Sequence, residues 1–126
     1  MITEDYVSFE TVKLLKERGF DEKCNMAYFN GTLVDYTMFG FCLGGNLLYC
    51  PTLQMAMKWL REVHSLVIEP YRTACGYLYT ISNIPYGSNL YDNAQEFNGD
   101  DEDSGQWSSW EKACENGIKY CLEKLI

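Results

Sequence analysis

The sequence predicts an α+β fold: one layered domain in which an antiparallel sheet is packed by amphipathic helices, in the order α-ββ-α-ββ-α. Three observations lead there. Asn30-Gly31 stands between two apolar, β-prone runs, the strongest short-range signal of a β-hairpin. PTLQMAMKWLREVHS, residues 51–65, places its apolar residues at helical spacing. SSWEKACENGIKYCLEKLI, residues 108–126, opens on a Ser-x-x-Glu capping box and continues with a helical apolar stripe. With 126 residues, 47% of them hydrophobic, the chain has the length and apolar content for one core. A single domain over 1–126 is therefore expected.

The elements follow in order. The first helix is predicted from Ser8 to Arg18, with Ser8 as N-cap and Phe9, Val12 and Leu15 as a stripe widened by Leu14. Gly19 stops it, because glycine adopts the left-handed conformation without steric cost, and Phe20 falls where a Schellman motif would fold it back onto Leu15. The hairpin comes next, with strands at about 26–29 and 32–36. Residues 37–50, TMFGFCLGGNLLYC, read as a packed loop, since Gly40, Gly44 and Gly45 break any regular pattern. In the second helix Leu53, Ala56, Met57, Leu60, Val63 and His64 share one face, flanked by Met55 and Trp59. A second hairpin is predicted with arms at about 66–72 and 76–84, and Pro70 marks its first arm as an edge or a bent strand. Residues 86–105, rich in Gly, Asn, Asp and Ser, read as a long, mobile acidic loop. The last helix starts at the Ser108/Glu111 box, and Gly117 on its apolar face permits close approach of another element.

Charge narrows the function classes. The formal net charge is −8, and Asp100, Asp101, Glu102 and Asp103 carry half of it. Asp92 and Glu96 add two more, so the remainder of the chain is close to neutral. A phosphate backbone would be repelled by this segment, and no cluster of lysines and arginines offsets it, which argues against direct nucleic-acid binding. No apolar run approaches the ~20 residues that span a bilayer. The N-terminus MITEDYVSFE lacks the basic-then-apolar pattern of a signal peptide, so no membrane association and a cytoplasmic location are expected. The six cysteines, at 24, 42, 50, 75, 114 and 121, show no Cys-x-x-Cys spacing and read mostly as small core residues in a reducing compartment.

SFETVKLLKERGFDEKC, PTLQMAMKWLREVHS and SSWEKACENGIKYCLEKLI together resemble a family of small proteins encoded by gut anaerobes and by their phages and mobile elements. The features carrying the likeness are Leu15, Gly19, Phe20, Asp21, Glu22 and Cys24 at the front. Pro51, Thr52, Trp59, Leu60, Arg61 and Glu62 carry it in the middle, and Glu111, Ala113, Leu122 and Ile126 at the end. The resemblance covers the three helices and matches the hairpins and acidic loop loosely. It implies an origin and a compact fold; the family has no established activity whose residues could be transferred.

Candidate chemistry is sparse. His64, the single histidine, ends a helix, where its imidazole suits the C-terminal dipole; no cysteine or orienting carboxylate is placed beside it by any motif. No catalytic or cofactor-binding motif is present, so neither enzymatic activity nor a cofactor is expected. Residues 100–111 can be laid on a calcium loop, with Asp100, Glu102, Ser104 and Glu111 as ligands and Gly105 at the sharp turn; the alternative is a solvated loop leading into a capped helix. A further alternative is a DNA mimic that blocks a host nuclease, although its carboxylates would then be spread over a broad face. The favoured expectation is a small interaction or accessory module of a phage or mobile element, binding a protein partner or itself. Tyr71, Tyr77, Tyr79, Tyr86 and Tyr91, around the second hairpin, are its candidate contact residues.

Overall fold

Local sequence signals set the ends of the first elements. In the computed structural model, which describes residues 2–39 and 47–126, helix α1 runs over Phe9–Glu17. Its first turn is closed by Ser8, whose hydroxyl accepts from the Thr11 N–H at 3.4 Å. The helix stops at Gly19, with φ +96°. The Phe20 N–H donates to the Leu15 carbonyl at 2.9 Å and the Gly19 N–H to the Lys16 carbonyl at 3.2 Å, the two bonds of a Schellman motif. Strands β1 (Met26–Phe29) and β2 (Thr32–Asp35) are joined by the expected turn, with Asn30 and Gly31 both at positive φ. A single-turn helix α2 (Tyr36–Phe39) follows at the position taken as the end of the strand, because the Asp35 carboxylate accepts from the Thr37 N–H and turns the chain.

Strand β3 (Leu47–Cys50) pairs antiparallel with β1, so the first sheet has the order β2-β1-β3. This strand corrects the reading of 37–50 as a loop; the Gly40, Gly44 and Gly45 part of that reading lies outside the described residues. β3 answers the same register as the hairpin, Met26 facing Asp35 on one side and Cys50 on the other. The Val7 N–H donates to the Pro51 carbonyl, and the Cys50 thiol donates to the Val7 carbonyl at 3.2 Å. Val7, Val12, Leu15, Phe20, Ala27, Cys50 and Pro51 are buried here.

The described chain divides into two compact units, Met1–Ala56 and Met57–Ile126, with the boundary inside helix α3 (Leu53–His64). Along α3, Leu53, Ala56, Met57, Trp59 and Leu60 are buried as the spacing predicts, with Trp59 more deeply placed than a flank residue. Val63 is exposed instead. It stands in the last turn, where the chain is about to leave the helix through Ser65 at φ +58°.

In the second unit β4 (Leu66–Arg72) and β5 (Tyr77–Asn83) form the predicted hairpin, with Pro70 in an edge strand. A third strand, β6 (Asn89–Asp92), lies on the other side of β5 and gives the order β4-β5-β6. A 3-10 turn (Asn93–Gln95) continues from it. Within the segment 86–105, residues 89–92 are thus a strand of the sheet and not loop: Tyr91 pairs with Ile81 and is buried, and that burial anchors the strand.

Helix α4 (Trp110–Tyr120), which widens into a π-turn at Cys121–Leu125, packs on β4 and β5. Its seat depends on Gly117: a Cβ there would stand 2.7 Å from Ile68 Cγ2 and 3.4 Å from Tyr79 Cδ2. Ile68, Tyr79, Ile81, Tyr91, Ala113, Cys114, Ile118, Cys121 and Leu122 are buried in this unit. The helix cap is Ser109, which accepts from the Lys112 N–H at 3.1 Å, and not Ser108. The cap moves by one residue because Ser108 is engaged by Asp100, and with Lys112 three residues after the cap the expected Ser-x-x-Glu box does not form. The three main helices and two antiparallel sheets make the protein a mixed α+β structure, and among the described residues no helix is long and apolar enough to cross a membrane.

Candidate functional site

The segment after β6 is held by polar contacts that begin with a buried asparagine. Asn93 is fully buried; its Oδ1 accepts from the Trp107 indole N–H at 2.8 Å and its Nδ2 donates to Asn98 Oδ1 at 2.6 Å. Burying an amide is costly unless it is bonded on both ends, and here both are. Trp107 in turn pairs with Tyr77 through two backbone hydrogen bonds of 2.9 Å, so the returning loop extends the sheet beside β5. The Thr73 hydroxyl meets Gln106 Oε1 at the β4–β5 turn.

Asp100 closes the same segment onto α4. Its Oδ1 accepts from the Ser108 N–H, and its Oδ2 from the Ser108 hydroxyl and the Lys112 ammonium, all at 2.8 Å. The Lys112 and Ser108 hydrogen bonds hold this carboxyl far below the usual carboxylate range. That geometry bears on the calcium-loop alternative. Asp100, its first ligand, already has a cation, since Lys112 occupies the place and the charge a metal would take. Ser104 Oγ accepts from the Gln106 N–H, Glu102 is exposed, and Glu111 stands in the first turn of α4. Among the described residues no three His, Cys, Asp or Glu side chains gather where they could hold a metal.

The five candidate tyrosines separate into two groups. Tyr79 and Tyr91 are core residues, a correction to their reading as contact residues. The Tyr91 ring stacks on Tyr120 of α4, centroids 3.8 Å apart and planes 16° apart, and lies 5.9 Å from Tyr79. Burial, and then Tyr91, push the Tyr79 hydroxyl far above the ordinary tyrosine range. Tyr77 is half-buried, with the Arg72 guanidinium over its ring at 5.1 Å. Tyr71 lies at the surface and donates to Asp92 Oδ1 at 3.2 Å. Tyr86 is 84% exposed.

Tyr86 belongs to a feature the sequence reading did not single out. The β5–β6 turn is pinned by the Asn83 N–H to the Ser88 carbonyl, the Gly87 N–H to the Asn83 carbonyl and the Ser88 N–H to Asn83 Oδ1. Its side chains point outward, with Ile84 45% and Leu90 43% exposed beside Tyr86. The outer side of β6 pairs with no other strand among the described residues. An open strand edge next to three exposed apolar side chains is a surface suited to protein contact.

Other sites offer less chemistry. An open cleft of about 600 Å³ lies along the second half of α4, lined by Tyr79, Trp107 and Tyr120 and by the charged residues Glu96, Lys119, Glu123 and Lys124. In the first unit a cavity of about 50 Å³ beside Val12, Phe20 and Tyr49 is too small for an organic ligand. The His64 ring stands edge-on to Trp59, centroids 4.8 Å apart, which suits a helix-ending residue. Cys50, Cys114 and Cys121 are buried. Burial, then Glu111, pushes the Cys114 thiol up to about 12, burial pushes Cys121 up to about 12, and burial, then Glu22, pushes Cys24 up to about 11. Such thiols are protonated and poor nucleophiles at neutral pH. No family model, curated protein or solved structure matches the chain.

Proposed function

We propose that the protein is a non-enzymatic interaction module, acting in the cytoplasm as an accessory protein of a phage or mobile element, and that it binds a protein partner through the β5–β6 hairpin. The observation that carries this reading is the open edge of β6 beside exposed Ile84, Tyr86 and Leu90. The hydrogen bonds of the turn already fix its backbone, so less backbone freedom is lost on binding, which favours a contact surface over a merely solvated loop. The suppressed reactivity of the buried thiols and the engagement of Asp100 by Lys112 support a binding role over a catalytic one.

The test is affinity capture from lysate of the source organism, comparing the natural chain with the double variant Tyr86→Ser/Leu90→Ser and with Tyr71→Phe. One reproducible partner, lost with the double variant and retained with Tyr71→Phe, is expected. A partner that is retained by the double variant would overturn the assignment to this hairpin.

A further inference from the structure

The cleft of about 600 Å³ in the second unit has two walls that come from different parts of the chain. Asn116, Lys119, Tyr120, Glu123 and Lys124 line it from α4 and the π-turn that continues it, at the spacing of one helix face. Glu96, Asn98 and Trp107 line it from the segment after β6, and Tyr79 from β5.

Both walls are fixed by the fold. Asn93 is fully buried, and the two ends of its amide hold two residues of the loop wall, the Trp107 indole and Asn98. Asp100 ties the rest of that loop to Ser108 and Lys112. The loop folds back closely on itself: a Cβ at Gly99 would stand 2.2 Å from the Gln106 carbonyl carbon. On the helix side the Tyr120 ring is stacked on Tyr91. Walls ordered in advance lose little freedom when a ligand enters. Two local irregularities fall here as well. The buried Tyr91 hydroxyl makes no hydrogen bond of ordinary length, with Asn93 and Glu96 as the polar side chains beside it; buried polar groups without a partner are uncommon. Helix α4 gives way to a π-turn where Glu123 and Lys124 stand, and such turns recur at functional sites.

The lining selects among ligands. It carries two carboxylates, two ammonium groups and no arginine. An anion such as a phosphate gains no net attraction from that balance, and neither does a cation. An apolar ligand would take water from the charges and amides and give them no partner. A neutral ring compound rich in hydroxyls suits every group, because each hydroxyl both donates and accepts. Asn116 Nδ2 donates to the Lys112 carbonyl at 2.8 Å, which leaves its Oδ1 to accept. The C–H faces of such a ring pack on tyrosine and tryptophan, and the volume is that of a small-molecule site.

We infer that this cleft binds a short neutral saccharide. It is a second site, independent of partner binding at the β5–β6 hairpin.

The test is titration of the full chain, followed by tryptophan fluorescence and ligand-observed NMR. The probes are neutral trisaccharides of glucose, galactose, mannose or N-acetylglucosamine, a sulfated trisaccharide, and adenosine. At least one neutral trisaccharide is expected to bind with a Kd of about 1 mM or tighter, and the sulfated one at least about tenfold more weakly. Glu96→Gln, an exposed and nearly isosteric change, and Asn116→Ala, shown to be folded by circular dichroism, should each weaken the neutral ligand by about tenfold. Val63→Ser, on exposed α3 surface outside the cleft, should leave it unchanged. No response to any neutral trisaccharide at about 10 mM would overturn the inference. So would equal or tighter binding of the sulfated sugar, binding of adenosine alone, or saccharide binding that both cleft variants leave intact.

Discussion

β4 and β6 flank the same central strand, yet they solve the problem of an exposed edge in opposite ways. β4 runs for seven residues and carries a proline and charges of both signs; β6 runs for four, and its neighbouring turn displays Ile84, Tyr86 and Leu90 to solvent. A sheet under no constraint but folding would be protected on both sides, because unpaired backbone groups recruit other chains. Proline and mixed charge protect β4, whereas β6 has only its shortness and the bulge at Leu90, and its outer side pairs with no strand among the described residues. The same contrast appears on the two faces of the hairpin's tyrosines: Tyr79 and Tyr91 are spent on holding β6 against α4, while Tyr86 is left outside.

The contrast can be broken at its base. Ile81 is fully buried on β5, the strand both edges share. Ile81→Ala should lower the stability of the protein by about 2–5 kcal/mol through lost transfer energy and a residual cavity, read as an earlier midpoint in urea, and should loosen both edges together. A loss confined to one edge in amide exchange would show that β5 is not their common support.

A smaller effect is expected from Pro70→Val. It restores an N–H on the outer half of β4 and removes the feature that distinguishes that edge. Stability should shift by less than about 1 kcal/mol, since the edge is solvent-exposed, while light scattering should now detect concentration-dependent association. A variant that stays monomeric at the same concentrations would mean that the charges, and not the proline, protect β4.

The smallest effect concerns acid. The carboxyl of Asp100 is depressed by Lys112 and Ser108, so its contribution to stability is fully present above the ordinary carboxylate range and is lost as pH falls through its lowered value. Lys112→Met should move that loss upward toward the ordinary range, near pH 4, with Trp107 fluorescence changing first because its loop is the one Asp100 closes. An unchanged acid profile would show that Lys112 does not set the Asp100 carboxyl.

The features legible in the sequence are those determined by neighbours along the chain. Ser8, Gly19 and Asn30-Gly31 act within a few residues of themselves, and each does in the structure what its type dictates. α3 and α4 are long enough for their apolar periodicity to show. The third strand of each sheet was not legible: β3 and β6 have four residues each, lie beside glycine- and asparagine-rich stretches, and exist because a hairpin formed elsewhere offers them an edge. The shift of the helix cap from Ser108 to Ser109 has the same origin, since the deciding partner, Asp100, is eight residues from Ser108 in sequence. Tyrosine content likewise could not tell Tyr91 from Tyr86; the face covered by α4 decides which of them is buried.

Amide hydrogen exchange on the full chain, with and without its captured partner, tests the central claim most directly. The account predicts new protection over Asn89–Asp92 and in the turn that precedes it, with Leu66–Arg72 unchanged. Protection that appears on Leu66–Arg72, or along the α4 cleft, while Asn89–Asp92 exchanges as before, would contradict it.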